Sequence, residues 1–216
     1  MTESTTIEAP PAGLRAAGIA VEDDPIPIVR LLARTLRDAS VHAPEEAEGL
    51  VGTVVVRSHA TPQAATLAFA PDVVSVTAGA LAEPDATVVV DLDARFAPRQ
   101  EMTGDVELAA RVLRALRPPL PGWREAAARF WEVTRDIPGI PDVLVVEADA
   151  PEGTEHGRFG AGPTSYRIAG PADILAGVFS GADDFLASLA AGVQVQGTLS
   201  QLSVMTAASW RVRFDV

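Results

Sequence analysis

Gln194-Val195-Gln196-Gly197-Thr198, followed by Leu199, Leu202 and Met205, alternates apolar and polar residues, reaches a glycine, and then turns to helical spacing. The pattern predicts a short half-buried strand leading into an amphipathic helix. The same order occurs earlier in the chain. Met102-Thr103-Gly104-Asp105 precedes Leu108, Val112, Leu113 and Leu116, again a short strand, a glycine and a helix with one apolar stripe, here with Asp105 placed to cap it. Each passage follows a β-rich run, beginning at Thr87 in one case and at Ser165 in the other. The interval from run to glycine is longer in the second, which leaves room there for two helices between Asp173 and Ala191. A diverged internal duplication is the expectation.

Working outward, the first passage is preceded by strand-like runs. Gly52 to Val56, Ala64 to Phe69, Val73 to Thr77 and Thr87 to Leu92 are dense in β-branched residues and are separated by turn residues such as Ala70-Pro71-Asp72 and Glu83-Pro84-Asp85. Before them Pro27 suits a first helical position, with Ile28, Leu31, Leu32, Thr35 and Leu36 on one face and Arg30, Arg34 and Arg37 opposite. Residues 1–24, rich in Pro, Ala and acids, read as a flexible N-terminal arm. Pro118, Pro119 and Pro121 stop the helix after Leu116 and mark a linker, so the halves run 25–121 and 122–216.

The second half repeats the order. Trp123, Ala127, Phe130, Trp131 and Thr134 share a helical face, and Pro138-Gly139-Ile140-Pro141 ends it. Val143 to Ala148 is a strand, Gly157 to Gly162 a glycine-rich strand or bulged hairpin, and Thr164 to Ile168 a further strand. Pro171 with Asp173, and Asp183 with Asp184, open two helices. Trp210 to Val216 alternates and is expected to close the chain as a strand. The fold class that follows is α+β, an antiparallel twisted sheet covered by helices on one face, present in duplicate.

The run from Tyr166-Arg167-Ile168 through Ser180-Gly181, Phe185 to Leu189, Gly192 and Val193 to Gly197 resembles the closing half of a sterol-carrier-protein-2 (SCP2) domain, and Met102 to Ala109 resembles the same segment of an earlier, degenerate copy. The resemblance implies a sheet of about five strands under helices, with an apolar tunnel between the layers, and non-catalytic binding or carrying of a lipid, sterol or fatty acyl group. The pocket it implies lies in the second half. Ile174, Leu175, Val178, Phe179 and Phe185 would line it from the middle helices, joined by Leu186 and Leu189, by Val195 on the short strand, and by Leu202 and Met205 on the last helix. Such a pocket draws affinity from burying ligand surface at about 25 cal/mol per Å².

Composition narrows the alternatives. The net charge is −12 and all 17 basic residues are arginine. A chain this acidic is repelled by nucleic acid and by anionic membranes, so neither nucleic acid nor stable membrane insertion is expected. There is no cysteine, which removes disulfides and thiolate metal sites. Met1 to Glu8 has no basic start or apolar core, and a cytoplasmic location is the expectation. His42, His59 and His156 stand alone, with His156 in what reads as a solvated loop. Gly157-Arg158-Phe159-Gly160-Ala161-Gly162 lacks dinucleotide spacing and runs into Pro163 and a strand rather than a helix. Asp91 with Asp93, and Glu45, Glu46 and Glu48, sit at element ends as solvated carboxylates. No nucleophile elbow occurs. No enzyme activity, cofactor or metal is therefore expected. The competing reading is a protein-interaction module that has lost its cavity, anchored by Trp123 or Trp131.

Overall fold

The computed structural model describes residues 18–215. Its first strand is β1 (Gly18–Val21), within the segment read as a loose arm, whose residues 1–17 lie outside the described residues. Pro27 does open α1 (Pro27–His42), and the short α2 (Pro44–Ala47) follows. The β-branched runs become β2 (Gly52–Ser58), β3 (Ala64–Ala70), β4 (Val73–Ala78) and β5 (Ala86–Asp91). Two brief strands, β6 (Ala97–Pro98) and β7 (Thr103–Gly104), lead to α3 (Val106–Ala115), where the Asp105 side chain accepts from the Leu108 amide at 3.0 Å.

The second half runs α4 (Trp123–Thr134), β8 (Val143–Ala150), β9 (Gly153–Gly160), β10 (Ser165–Pro171), α5 (Ala172–Ser180), α6 (Phe185–Ala190), β11 (Gln194–Gln196) and α7 (Leu199–Phe214). His156 is exposed but lies in β9 rather than in a loop. It faces Glu147 of β8 at 3.5 Å. The expected terminal strand is the end of α7. The alternation of Trp210-Arg211-Val212-Arg213-Phe214 misleads because Arg213, a charged residue, points inward: it is 2% exposed and buried on the same face as Met205 and Ala208. Thr198 and Gln201 form a reciprocal cap that starts this helix.

Neither sheet is purely antiparallel. The first has strand order β1-β4-β3-β2-β5-β6, with β7 also on β5, and the second has order β11-β10-β8-β9. β1 pairs β4, β2 pairs β5 and β8 pairs β10 in parallel; the remaining pairs are antiparallel. The chain leaves β2 by an antiparallel neighbour, returns on its other side and enters β5 from the end at which β2 began, so the two run parallel. One face of each sheet is buried. Ala86, Val88 and Val90 alternate with half-buried neighbours on β5, as Tyr166, Ile168 and Gly170 do on β10. The first core joins α1 and α3 to their sheet through Leu32, Leu36, Val54, Leu67, Val88 and Val112. The second joins α4, α5 and α7 through Phe130, Leu144, Ile168, Leu175, Phe179 and Ala208.

The halves share a connection order: helix, strand, antiparallel strand, a strand parallel to the first, a short antiparallel strand, helix. β1, α2, β4 and one of the two short strands on β5 have no counterpart in the second half, and α5 and α6 have none in the first. A clasp closes the start of the β2–β5 pair and of the β8–β10 pair. Thr53, just before the β2–β5 register, donates its amide and hydroxyl to Asp85 Oδ2 at 2.7 and 2.8 Å, and its Oγ1 accepts the Asp85 amide at 3.2 Å. At β8–β10 the partners are exchanged between strands. Thr164 donates its amide and hydroxyl to Asp142 Oδ2 at 2.9 and 2.6 Å, and its Oγ1 accepts the Asp142 amide at 2.9 Å. These bonds hold both carboxyls below the usual aspartate range, chiefly through the backbone donor at Asp85 and the hydroxyl donor at Asp142.

Candidate functional site

Nine of the ten apolar residues expected to line a tunnel belong to the second core or pack against it. Leu175, Val178, Phe179, Phe185 and Met205 are buried against one another and against α4, with the Phe130 and Phe179 rings 5.4 Å apart. Ile174, Leu189, Val195 and Leu202 pack at the margin of this cluster, and Leu186 is 45% exposed. Of the ten, Phe179 alone also borders the cleft that opens between the halves.

That cleft has a volume of ≈ 890 Å³. Its walls follow from helical spacing. Arg34, Asp38 and Val41 share a face of α1, and Ala126, Phe130 and Val133 share a face of α4. The proline linker from Leu116 to Pro121 forms one side. Arg95 and Phe96 close it from the turn after β5, Phe179 and Ser180 from the end of α5, and Arg211, Val212 and Asp215 from the end of α7. Phe96, Leu116, Phe130 and Phe179 make an apolar floor, all of them buried.

The polar lining has the opposite sign to the molecule. Arg34, Arg37, Arg95, Arg117, Arg129 and Arg211 border the cleft together with His42, against the three carboxylates of Asp38, Glu125 and Asp215, in a chain of net charge −12. Arg34 pairs with Asp38, Arg37 reaches Asp215 at 2.6 Å, and Arg95 holds Asp183 with a 2.7 Å bond from Nε and the Asp173 carbonyl at 3.1 Å. Among the described residues Arg117, Arg129 and Arg211 have no carboxylate partner.

Arg34 departs furthest from its sequence reading. It stands on the face opposite the apolar stripe of α1, where solvent was expected, yet it is 8% exposed because the end of α5 and the end of α7 close over it. Its Nε and Nη1 are buried without a hydrogen-bond partner among the described residues. Burial lowers its pKa, opposed by Asp38 and Asp215, while Arg129 pushes it down further. Behind the wall Arg213 is also buried, but it is well supplied. It donates to the carbonyls of Gly181 at 3.2 Å, Ala182 at 2.8 Å and Leu92 at 2.7 Å, so it ties the first half to the second.

Sequence reasoning missed this site because its walls come from helices in different halves. The available signal was the exclusive use of arginine on α1 and α4. Among the described residues no three His, Cys, Asp or Glu side chains gather as a metal site requires, and no helix is long and apolar enough to cross a membrane. No family model matches the chain, and no curated protein or solved structure matches it.

Proposed function

We propose that the protein binds a small, largely apolar molecule without transforming it, and that the ligand sits in the cleft between the halves rather than in a tunnel within the second half. The observation that carries this reading is the cleft itself: ≈ 890 Å³ over a floor of Phe96, Leu116, Phe130 and Phe179. Small-molecule sites occupy about 300–1,000 Å³ and combine an apolar lining with a few convergent polar groups. A lipid or fatty acyl group is the ligand class that fits such a lining. The shared connection order of the halves supports a duplicated ancestry, in which the cleft is a product of joining two copies.

Native mass spectrometry of the purified protein, followed by organic extraction, tests the reading. A retained lipid that is lost in Val133→Trp, a half-exposed wall position on α4, is the expected result. A bare mass that persists after incubation with fatty acids and sterols counts against it.

The interaction-module alternative has little to stand on at its two named anchors. Trp123 is 7% exposed, donates to Glu155 at 3.0 Å and is covered by the Arg124 guanidinium 4.4 Å from its ring, while Trp131 packs against Gly160.

A further inference from the structure

We infer that the molecule held in the cleft ends in an oxyanion, a carboxylate or a phosphate, seated between Arg34 and Arg129; the inference rests on the cleft being the binding site. Three observations converge on it. The lining carries six arginines and a histidine against three carboxylates, although the chain as a whole is strongly acidic. A random sample of this surface would be negative. Arg34, Arg37 and Arg95 are paired with Asp38, Asp215 and Asp183, so the excess positive charge rests on Arg117, Arg129 and Arg211.

The second observation is Arg34. It is nine-tenths buried at the cleft wall, with two N–H-bearing nitrogens left without partners. Leaving a buried donor unsatisfied is unfavourable, and a charged donor more so; Nη1 lies against Gly181, so Arg34 acts on the cleft through its poorly compensated charge rather than through these two nitrogens. Asp38 satisfies only Nη2. The third is Arg129 of α4, which borders the same cleft, is exposed, and has no carboxylate partner among the described residues. An oxyanion in the cleft accepts charge-assisted hydrogen bonds from Arg129 and is attracted by the buried charge of Arg34. The apolar floor then takes the body of the ligand, so polarity is divided: head at the arginines, body over Phe96, Leu116, Phe130 and Phe179.

Isothermal calorimetry on the full chain with decanoate, decyl phosphate and decanol tests this. At least one of the two anions should bind about tenfold or more tightly than the alcohol, and whichever does identifies the head group as carboxylate or phosphate. Arg129→Gln, an exposed substitution that leaves the core intact, should remove most of that advantage and leave decanol binding unchanged. Equal binding of all three, or an advantage untouched by Arg129→Gln, overturns the oxyanion seat while the cleft reading stands. Binding of none of them, with no effect of Val133→Trp on any retained molecule, removes the cleft reading and the seat together.

Discussion

Tyr166 is the chain's single tyrosine, fully buried at the centre of the second core, and its hydroxyl has no partner among the described residues. Burial pushes its phenol up to about 12 from an ordinary value near 10. The unfolded chain therefore releases this proton first. The folded state has its full advantage below about pH 10 and loses it as pH rises towards 12, at about 1.4 kcal/mol per pH unit. Lysine and cysteine are absent, so neither of those side chains adds a titration in that window. Urea unfolding between pH 9 and 12 should show this alkaline loss, and Tyr166→Phe should flatten it. At neutral pH the same substitution should leave stability equal or slightly higher, because it removes an unsatisfied hydroxyl without opening a cavity. A marked loss at neutral pH would mean that the hydroxyl is bonded.

At the scale of the element, β7 is two residues long yet fixes where α3 begins. Gly104 sits at φ +80°, and a Cβ there would overlap the Asp85 carbonyl oxygen and come 3.0 Å from Ala86 Cα. Gly49 has φ +66° with nothing within 4 Å. Both positions strain an L side chain, but only the first adds a collision. Gly49→Ala should cost about 1 kcal/mol and Gly104→Ala at least about 2 kcal/mol more, because β5 has to move; equilibrium unfolding of the two variants gives the difference.

Elements like these were largely legible from local pattern. Pro27 opens α1, Asp105 caps α3, and the β-branched runs are strands, because helical and pleated periods are written within a few residues. Pairing was not legible. Whether β5 lies parallel or antiparallel to β2 depends on the end of the sheet from which the chain re-enters, and no short window records that. α7 was half misread because its inward position near the end is an arginine. The apolar residues of α5 and α6 were visible, but core and pocket wall use the same side chains, and only packing separates them. Arg34 was read as a solvent-facing residue, since burial of a charge by two distant helix ends leaves no local trace.

Across the whole molecule, the halves are joined by few but directed bonds. Arg95 of the first half grips Asp183 of the second, which is 11% exposed at its side chain, and Arg213 of α7 reaches back to the Leu92 carbonyl. Asp183→Ala leaves Arg95 without its carboxylate. With Arg95 itself one-third exposed, the expected loss is about 1–3 kcal/mol, below that of a fully buried pair. Differential scanning calorimetry should show the single transition broaden or split, as the halves unfold less tightly coupled; an unchanged sharp transition would place the coupling in the linker and the cores. The two threonine–aspartate clasps lead to a different consequence. The β2–β5 and β8–β10 pairs each join one hydroxyl and one carboxylate at the entrance, supplied by opposite strands in the two cases. No single substitution converts one polarity into the other: changing the threonine alone sets two acids face to face, and changing the aspartate alone leaves two alcohols. If both halves descend from one ancestral unit, at least one lineage crossed a generation with an open latch, and the site, not the residue, is what was inherited.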